Sequence, residues 1–593
     1  MEKLIIYQLF PRIFSNPTEN CVPWGPLQRN GSGKFEDFTP SLLAGIKDLG
    51  VNCLWMTGII EHATKTDFSK YGIIPDNPNV VKGEAGSPYA IKDYYDVDPA
   101  LATRVDKRIE EFESLVKRIH MAGMKFIIDF VPNHTARVYH SDMAPAGIED
   151  FGSDDDISMN FARDNNYYYI SNQQFYPDFD LAAEGDKPFV EFPAKATGND
   201  CFTAFCNKND WYETVKLNYG HDYNDHSDHF HPVPDTWLKM LHILRYWCAK
   251  GIDGFRCDMV FMVPLEFWHW AIPQVKANFP NIIFIGEIYD VAQYRPFLDY
   301  GCFDYLYDKV NLYDTLVGIE TKGWSAAQLT GCWQTVDGIG DRMLNFLENH
   351  DEVRFASDEY AKDSLRVVPS LVVSSMISKG PFMIYYGQEL GERGEENEGF
   401  AGQNHRTTIF DYWSLSSLRR WINKGDWGDV NLTPHERFLR NLYKKVLTLC
   451  NSRKAISDGE FFDLMYVNLR NPDFNPHRHF AFLRYSKEDI LLIIVNFSNE
   501  QEAIKVIIPS LAFNMAHLPT GTLTTHDLLW DKPYKLTLVP DQAISVNIGA
   551  ADAIILPLTT SQSLGKSNKK GNFAASKAKI TKTQKSKVEK KPK

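Results

Sequence analysis

Eight short apolar runs recur along the first 390 residues, and most are followed by a stretch with helical periodicity. The runs are residues 4–10, 51–56, 125–130, 252–258, 282–287, 302–307, 342–347 and 382–386. Amphipathic stretches lie between them at 106–122, 235–250 and 264–278, and the last two open with Asp or Pro, as helices often do. Eight strands that alternate with helices predict an α/β protein of the closed (β/α)8, or TIM-barrel, type rather than an open sheet.

One connection in this pattern is far too long for a loop. Residues 135–233, between the third strand and the helix before the fourth, are rich in Asp, Asn, Tyr and Phe and predict an inserted subdomain. We therefore assign residues 1–134 and 234–450 to the barrel. After Cys450 the pattern changes to short alternating runs, so residues 451–560 predict a C-terminal antiparallel β domain. Residues 561–593 are rich in Lys and almost free of large apolar side chains, which predicts a disordered tail.

Charge and hydropathy exclude two classes of partner. The tail has 11 Lys and one Glu, so its charge is about +10 and the other residues hold about −23 of the net −13. An acidic body argues against nucleic acid as a partner. The longest apolar run, near 490–495, is much shorter than a membrane span, and we expect no membrane association.

The cysteines indicate a reducing compartment. There are nine of them, an odd number, without any CxxC pair. This usage is typical of a cytosolic protein rather than of a disulfide framework. The N-terminal run is interrupted by Gln8 and Pro11 and lacks a small-residue cleavage site, so no signal peptide is predicted and we expect a cytoplasmic location.

Polar residues follow four of the eight strands at the point where each strand ends. They are Asp129, Asn133 and His134 after the third, Arg256 and Asp258 at the fourth, Glu287 at the fifth, and Asn349, His350 and Asp351 after the seventh. A carboxylate at the end of a buried run is costly unless it is paired or used. The C-terminal ends of barrel strands form one mouth, where barrel enzymes have their active sites. A rim of salt bridges could explain one such strand end but is a poor explanation for four.

Two of these carboxylates have surroundings that suit different roles. Arg256 and Asp258 are two residues apart on a strand and share a face, so the guanidinium should lower the pKa of Asp258 and keep it ionised, as a nucleophile requires. Glu287 has apolar sequence neighbours, which favour the protonated form that a general acid needs. Such a pair is what retaining glycoside hydrolysis uses.

The segments DFVPNH, GFRCD, GEIYD and FLENHD, in this order, resemble the four signature regions of the α-amylase family of glycoside hydrolases. The resemblance implies that Asp258 is the nucleophile, Glu287 the acid/base and Asp351 the transition-state stabiliser. It also implies sugar-binding roles for a second set of residues, which are His134, Arg256, His350 and, under the reacting sugar, Tyr89. Residues 216–219, KLNY, resemble a fifth region found in family members that act on maltooligosaccharides and pullulan.

The resemblance departs from the family at its calcium site. Calcium-dependent members use an Asn after the third strand, here Asn133, and end their second region with Lys-His, where this chain has Phe261 and Met262. A thioether is a poor calcium ligand. We therefore predict no metal and no cofactor, with Phe261 and Met262 packing the insertion against the barrel by hydrophobic contact. The alternatives are a calcium site completed by other ligands and a metal site in the His-rich segment 221–231.

The sequence thus predicts a retaining hydrolase of α-1,4-linked glucooligosaccharides, with an α-glucan or maltooligosaccharide as its substrate. An α-glucosidase and a transglycosylase or isomerase, such as a trehalose-forming enzyme, are alternatives within the same chemistry. A non-catalytic relative that only binds sugar is the alternative from another class. Such relatives typically lose one or more of the three carboxylates, and all three are present here.

Overall fold

The computed structural model describes residues 2–180 and 186–559. The predicted Lys-rich tail therefore lies outside the described residues. Within the described ranges, no helix combines the length and the apolar composition needed to cross a bilayer.

Eight parallel strands form a closed barrel, which confirms the predicted fold class. In chain order they are β1 (Ile5–Leu9), β2 (Cys53–Met56), β3 (Lys125–Phe130), β4 (Gly254–Cys257), β5 (Ile283–Gly286), β6 (Tyr305–Tyr307), β7 (Met343–Phe346) and β8 (Phe382–Tyr385). Each predicted run contains one of these strands, and neighbours in sequence are neighbours in the barrel. The strands are buried throughout except for Lys125 and Ile283 at the start of β3 and β5 and Tyr305 at the start of β6. This is why they read as continuous apolar runs rather than as alternating ones.

Helices surround the barrel. The longer ones are Pro40–Lys47, Arg108–Met121, Asp235–Ala249, Leu265–Lys276, Asp314–Lys322, Gln328–Thr335, Val367–Met376 and Pro434–Ser452. The three predicted amphipathic stretches coincide with the second, third and fourth of these. The last helix shows how its start is encoded: Thr433 accepts a hydrogen bond from the Glu436 backbone, the Glu436 side chain accepts one from the Thr433 backbone, and Pro434 occupies the first helical position.

The insertion leaves the barrel directly after β3 and is closed at its base by a short strand pair. His134–Ala136 pairs antiparallel with Thr214–Lys216, in a register that places His134 opposite Lys216. Two further pairs lie within the insertion, Tyr169–Ile170 with Ala194–Lys195 and His221–Asp222 with Ser227–Asp228. The base pair of strands therefore brings residues near 216 back to the barrel mouth.

The C-terminal part is antiparallel. A four-stranded sheet consists of Glu460–Asp463, His479–Tyr485, Ile490–Asn496 and Asp552–Pro557, and two further pairs join Glu502–Ile507 to Ala543–Ile548 and Gly521–His526 to Pro533–Leu538. Helix Val367–Met376 is buried along its whole length because it contacts both β7 and this sheet.

Candidate active site

The register of β3, β4 and β5 brings the predicted catalytic residues side by side. Arg256 on β4 pairs with Asp129 on β3 and with Ile285 on β5. The backbone bonds continue past the strand ends, where Asp258 N–H donates to Phe130 and Glu287 N–H donates to Cys257. Asp258 and Glu287 therefore leave neighbouring strands at the same height of the barrel mouth.

One buried guanidinium holds three carboxylates. Arg256 is 0% exposed, and its Nη1 donates to Asp258 Oδ1 at 2.9 Å and to Asp129 Oδ1 at 3.2 Å. Its Nη2 lies 2.7 Å from Glu287 Oε1, and its Nε donates to the Tyr307 hydroxyl at 3.2 Å. A planar fork of five donors suits this arrangement in a way that a lysine would not. The structure thus brings Arg256, Asp258 and Glu287 into direct contact.

The electrostatics of Asp258 differ from the sequence prediction. Burial and the nearby charge of Glu287 raise the pKa of Asp258 well above its ordinary value, and Arg256 only opposes that shift. Arg256 does lower this pKa, as predicted, but the expected net lowering was wrong because burial and the charge of Glu287 outweigh the guanidinium. Burial also raises the pKa of Asp129 to about 6, again against the influence of Arg256.

The surroundings of Glu287 are polar, contrary to the apolar environment expected from its sequence neighbours. Besides Arg256, the Tyr289 hydroxyl donates to Glu287 Oε1 at 2.5 Å. The Met259 N–H donates to the other oxygen, Oε2, at 3.0 Å. The sequence neighbours did not show this, because the polar partners come from Arg256 on β4, from Met259 after it and from Tyr289.

Asp351, His350 and Tyr89 form the opposite wall. The Asn349 side chain accepts the backbone N–H groups of Asp351 and Glu352, each at 2.9 Å, which fixes the turn after β7. His350 Nε2 lies 3.1 Å from Asp351 Oδ2 and 2.5 Å from the Tyr89 hydroxyl. The rings of Tyr89 and His350 are stacked, with centroids 5.3 Å apart. Tyr89 therefore lies in the site to which the sequence analysis assigned it.

Burial disfavours the charged form of both predicted histidines. Burial lowers the pKa of His134 to about 3, with a contribution from Lys216, and lowers that of His350 to about 3, with a contribution from Arg256. Neutral imidazoles can exchange hydrogen bonds with sugar hydroxyls without adding charge to the site.

These residues surround one cavity of about 480 Å³. Its lining includes six of the seven predicted residues, Asp258, Glu287, Asp351, His134, His350 and Tyr89. Arg256 is buried behind the wall. The size is in the range of small-molecule sites, and the mixture of aromatic faces with a few polar groups is typical of them.

Several residues of the site were not identified from the sequence. They are Gln8, Trp55, Tyr307, Trp211 and Tyr289. The Gln8 amide lies 2.9 Å from His350 Nδ1, and Trp55 donates to Asp129 at 2.9 Å. Gln8 had a usable signal, because it is a polar residue within a buried apolar run. Trp211 had none, since only the folded insertion places it against His134.

Lys216 lies beside Asn133 and Met262, the two positions that correspond to the family's calcium ligands. Lys216 Nζ donates to Asn133 Oδ1, to the Met262 carbonyl at 3.0 Å, and pairs with Asp200 Oδ1 at 2.7 Å. Its ammonium thus ties β3, the loop after β4 and the insertion together. The predicted hydrophobic role of Phe261 was wrong, because that side chain is 41% exposed and lies against Tyr289.

The His-rich segment forms a hairpin rather than a cluster of ligands. His221 Nδ1 pairs with Asp228 at 2.7 Å, and His229 bonds Ser227 at 2.8 Å. In the described part of the chain, the one group of three or more potential metal ligands in mutual reach lies elsewhere, at Glu61, Asp93, Asp96 and Asp142. Arg108 pairs with two of those carboxylates, Asp96 and Asp142.

Comparisons with known proteins agree with this geometry. The family model "Alpha amylase, catalytic domain" matches residues 8–420. The chain therefore belongs to the alpha-amylase family of glycoside hydrolases, as the four sequence motifs indicated.

Individual relatives are distant. A cyclomaltodextrinase of Thermoanaerobacter pseudethanolicus is 23% identical over 515 residues, which is 84% of this chain and 71% of that protein. The human amino acid transporter heavy chain SLC3A1 is 25% identical over 281 residues, 47% of this chain and 32% of that protein. The crystal structure of a noncanonic maltogenic alpha-amylase, AmyB from Thermotoga neapolitana, superposes on this chain with a TM-score of 0.60 at 20% identity. The match covers 94% of this chain and 99% of that one. These likenesses support the fold over almost the whole chain.

Proposed function

We propose that this protein is a retaining hydrolase of α-1,4-linked glucooligosaccharides that works through a covalent glycosyl-enzyme intermediate. The observation that supports it most is the sharing of Arg256 by Asp258 and Glu287 at the wall of one cavity. In this mechanism Asp258 attacks the anomeric carbon while Glu287 protonates the leaving oxygen, and Glu287 then deprotonates the water that releases the sugar.

The two oxygens of Glu287, the proposed acid/base, have different partners. Oε1 accepts a hydrogen bond from the Tyr289 hydroxyl and lies 2.7 Å from Arg256 Nη2, and Oε2 accepts one from the Met259 N–H. Asp351 lies across the cavity, where it would bind sugar hydroxyls more tightly in the oxocarbenium-like state than in the ground state.

A cytoplasmic location and independence from metal are part of the same proposal. All nine cysteines are free thiols in the structure, as expected for a reducing compartment. The ammonium of Lys216 supplies a positive charge between Asn133, Asp200 and Met262, so no ion is needed to join the insertion to the barrel.

The test compares two active-site variants with a matched control on the same strand. Asp258→Asn should fold normally and lose at least about 10³-fold in kcat because the covalent path is closed. Glu287→Gln should still react with an α-glucosyl fluoride, whose leaving group needs no proton, and azide should restore its turnover. Asp253→Asn changes a carboxylate at the opposite end of β4 and should leave activity unchanged. If azide instead rescues Asp258→Asn, the two roles are reversed.

The products distinguish the alternatives. Maltoheptaose, maltose, pullulan and trehalose are incubated with the wild type, and the anomeric form of each product is followed by NMR. Release of α-anomers from maltoheptaose supports the proposal, and β-anomers would show inversion. Conversion of maltose to trehalose would indicate an isomerase, and inertness toward all four substrates would indicate a binding relative.

A further inference from the structure

Tyr289 lies two residues after Glu287, just past the end of β5, and both side chains line the catalytic cavity. Side chains at this spacing in an extended segment share a face, which brings the phenol to the carboxyl group. The Tyr289 hydroxyl donates to Glu287 Oε1 at 2.5 Å. The mechanism proposed above assigns no role to this hydroxyl.

The phenol fixes the direction of this hydrogen bond. Burial, followed by the charge of Glu287, raises the pKa of Tyr289 well above its ordinary value, so the hydroxyl keeps its proton near neutral pH. A hydrogen bond to an ionised acceptor is stronger than one to a neutral acceptor. The Tyr289 hydroxyl therefore interacts more strongly with Glu287 when that carboxyl group is ionised than when it is protonated.

The ring of Tyr289 is held independently of its hydroxyl. Phe261 meets it edge to face with ring centroids 6.2 Å apart, and Lys309 Nζ lies 6.0 Å from its centroid. These contacts orient the phenol toward Glu287 before a substrate binds. They do not involve the phenol oxygen, so Tyr289→Phe keeps the ring in place and removes the hydrogen bond alone.

The charge on Glu287 changes during the first step of the proposed reaction. The acid gives its proton to the leaving oxygen as the glycosidic bond breaks, so negative charge develops on the carboxyl group. An interaction that strengthens with this charge stabilises the transition state more than the ground state and so lowers the barrier. Arg256 also contacts Glu287 but is shared with Asp258 and Asp129, whereas the Tyr289 hydroxyl donates its single proton to Glu287.

We propose that Tyr289 is a positioning residue whose hydroxyl stabilises the negative charge that develops on Glu287 while the leaving group is protonated. This inference rests on the proposed hydrolase function and concerns the step in which Glu287 acts as an acid. A leaving group that needs no proton develops no such charge, so its departure gains nothing from Tyr289. Removing the donor also favours the protonated carboxyl group, which should extend activity to higher pH.

Other ionisable and charged groups face Glu287 and Tyr289 from the neighbouring strands and loops. They are Asp129 on β3, Arg256 and Asp258 at β4, Tyr307 on β6, Lys309 after it, and His350 and Asp351 after β7. Tyr289→Phe leaves all of them in place. The informative quantity is therefore the difference between the pH profiles of the variant and the wild type.

The test compares Tyr289→Phe with the wild type on two substrates that differ in what leaves. Maltoheptaose releases a sugar oxygen that must be protonated, whereas α-glucosyl fluoride releases fluoride, which needs no proton. For maltoheptaose, kcat/KM should fall about tenfold and the basic limb of its pH profile should move up by about one pH unit. For the fluoride, kcat/KM should change less than about twofold. Tyr534→Phe removes a hydroxyl that donates to the Asn547 carbonyl in the C-terminal part, and this control should change neither substrate's kinetics.

Three results would overturn the inference. Equal losses on both substrates would show that the hydroxyl supports the shape of the cavity rather than the charge on Glu287. An unchanged rate on maltoheptaose, or a basic limb that moves to lower pH, would show that the hydroxyl does not stabilise the ionised carboxyl group. A wild type inactive on both substrates would refute the proposed function and this inference with it, whereas the first two results leave the function intact.

Discussion

The contacts of Lys216 predict that its ammonium joins the insertion to the barrel, as a bound cation would. Its side chain is buried and joins Asn133, Asp200 and the Met262 carbonyl. Lys216→Met would leave the Asn133 Oδ1 and Met262 acceptors buried without this donor, at about 1–3 kcal/mol each. Asp200 is partly exposed and adds little. Burial lowers the pKa of Lys216, so the relief of desolvating its ammonium offsets part of the loss. We expect a net destabilisation of about 3 kcal/mol.

The sharper perturbation is Lys216→Asp. It replaces the ammonium with a carboxylate next to three oxygen groups, Asn133 Oδ1, Asp200 Oδ1 and the Met262 carbonyl. Oxygen ligands of this kind are those that calcium prefers. We expect this variant to melt well below the wild type in excess chelator and to recover when calcium is added. Lys216→Met should be destabilised and should not respond to calcium.

The assay is a thermal melt in chelator and in millimolar calcium, with residual activity measured in parallel. Lys208→Met removes an exposed lysine from the same insertion and should melt like the wild type. The wild type should show the same melting temperature and rate in both conditions. A large fall for the wild type on chelation, reversed by calcium, would refute the reasoning, as would a Lys216→Asp variant that calcium does not stabilise.

Two further predictions concern the catalytic charge and the tail. Asp129→Asn removes a negative charge that raises the pKa of Asp258, so the acid limb of the kcat/KM profile should move to lower pH, and a move to higher pH would contradict this. Truncation after Leu558 keeps that buried residue and its backbone hydrogen bond to Ile490, so it should leave the rate constants and the melting temperature unchanged. A clear loss of activity would mean that the removed residues contribute to the site.

The barrel and the catalytic residues could be predicted because both depend on local sequence. Each buried strand is a short apolar run, and the residue that follows it must lie at the mouth. Asp258 and Glu287 follow neighbouring strands whose register is set by the barrel itself, so their proximity required no knowledge of the insertion. Two-residue spacing on β4 placed Arg256 beside Asp258 in the same way.

The junction at Lys216 could not be predicted because it depends on contacts between distant segments. Asn133, Asp200 and Met262 belong to three parts of the chain, and only the folded insertion brings Lys216 to all of them. The position of the lysine opposite His134 follows from strand pairing at the base of the insertion. No pattern within either short segment encodes that pairing.

The error over Asp258 has a more general cause, which bears on how the site works. A sequence shows which cation is near a carboxylate but not how many other carboxylates share it. Here Arg256 compensates one negative charge among Asp129, Asp258 and Glu287, all of them buried. Burial, followed by the like charges around them, raises the pKa of Asp258 and of Asp129 against the influence of Arg256. Arg256 therefore favours ionisation of the nucleophile, while burial and the neighbouring carboxylates favour its protonated form, and one shared guanidinium does not outweigh them.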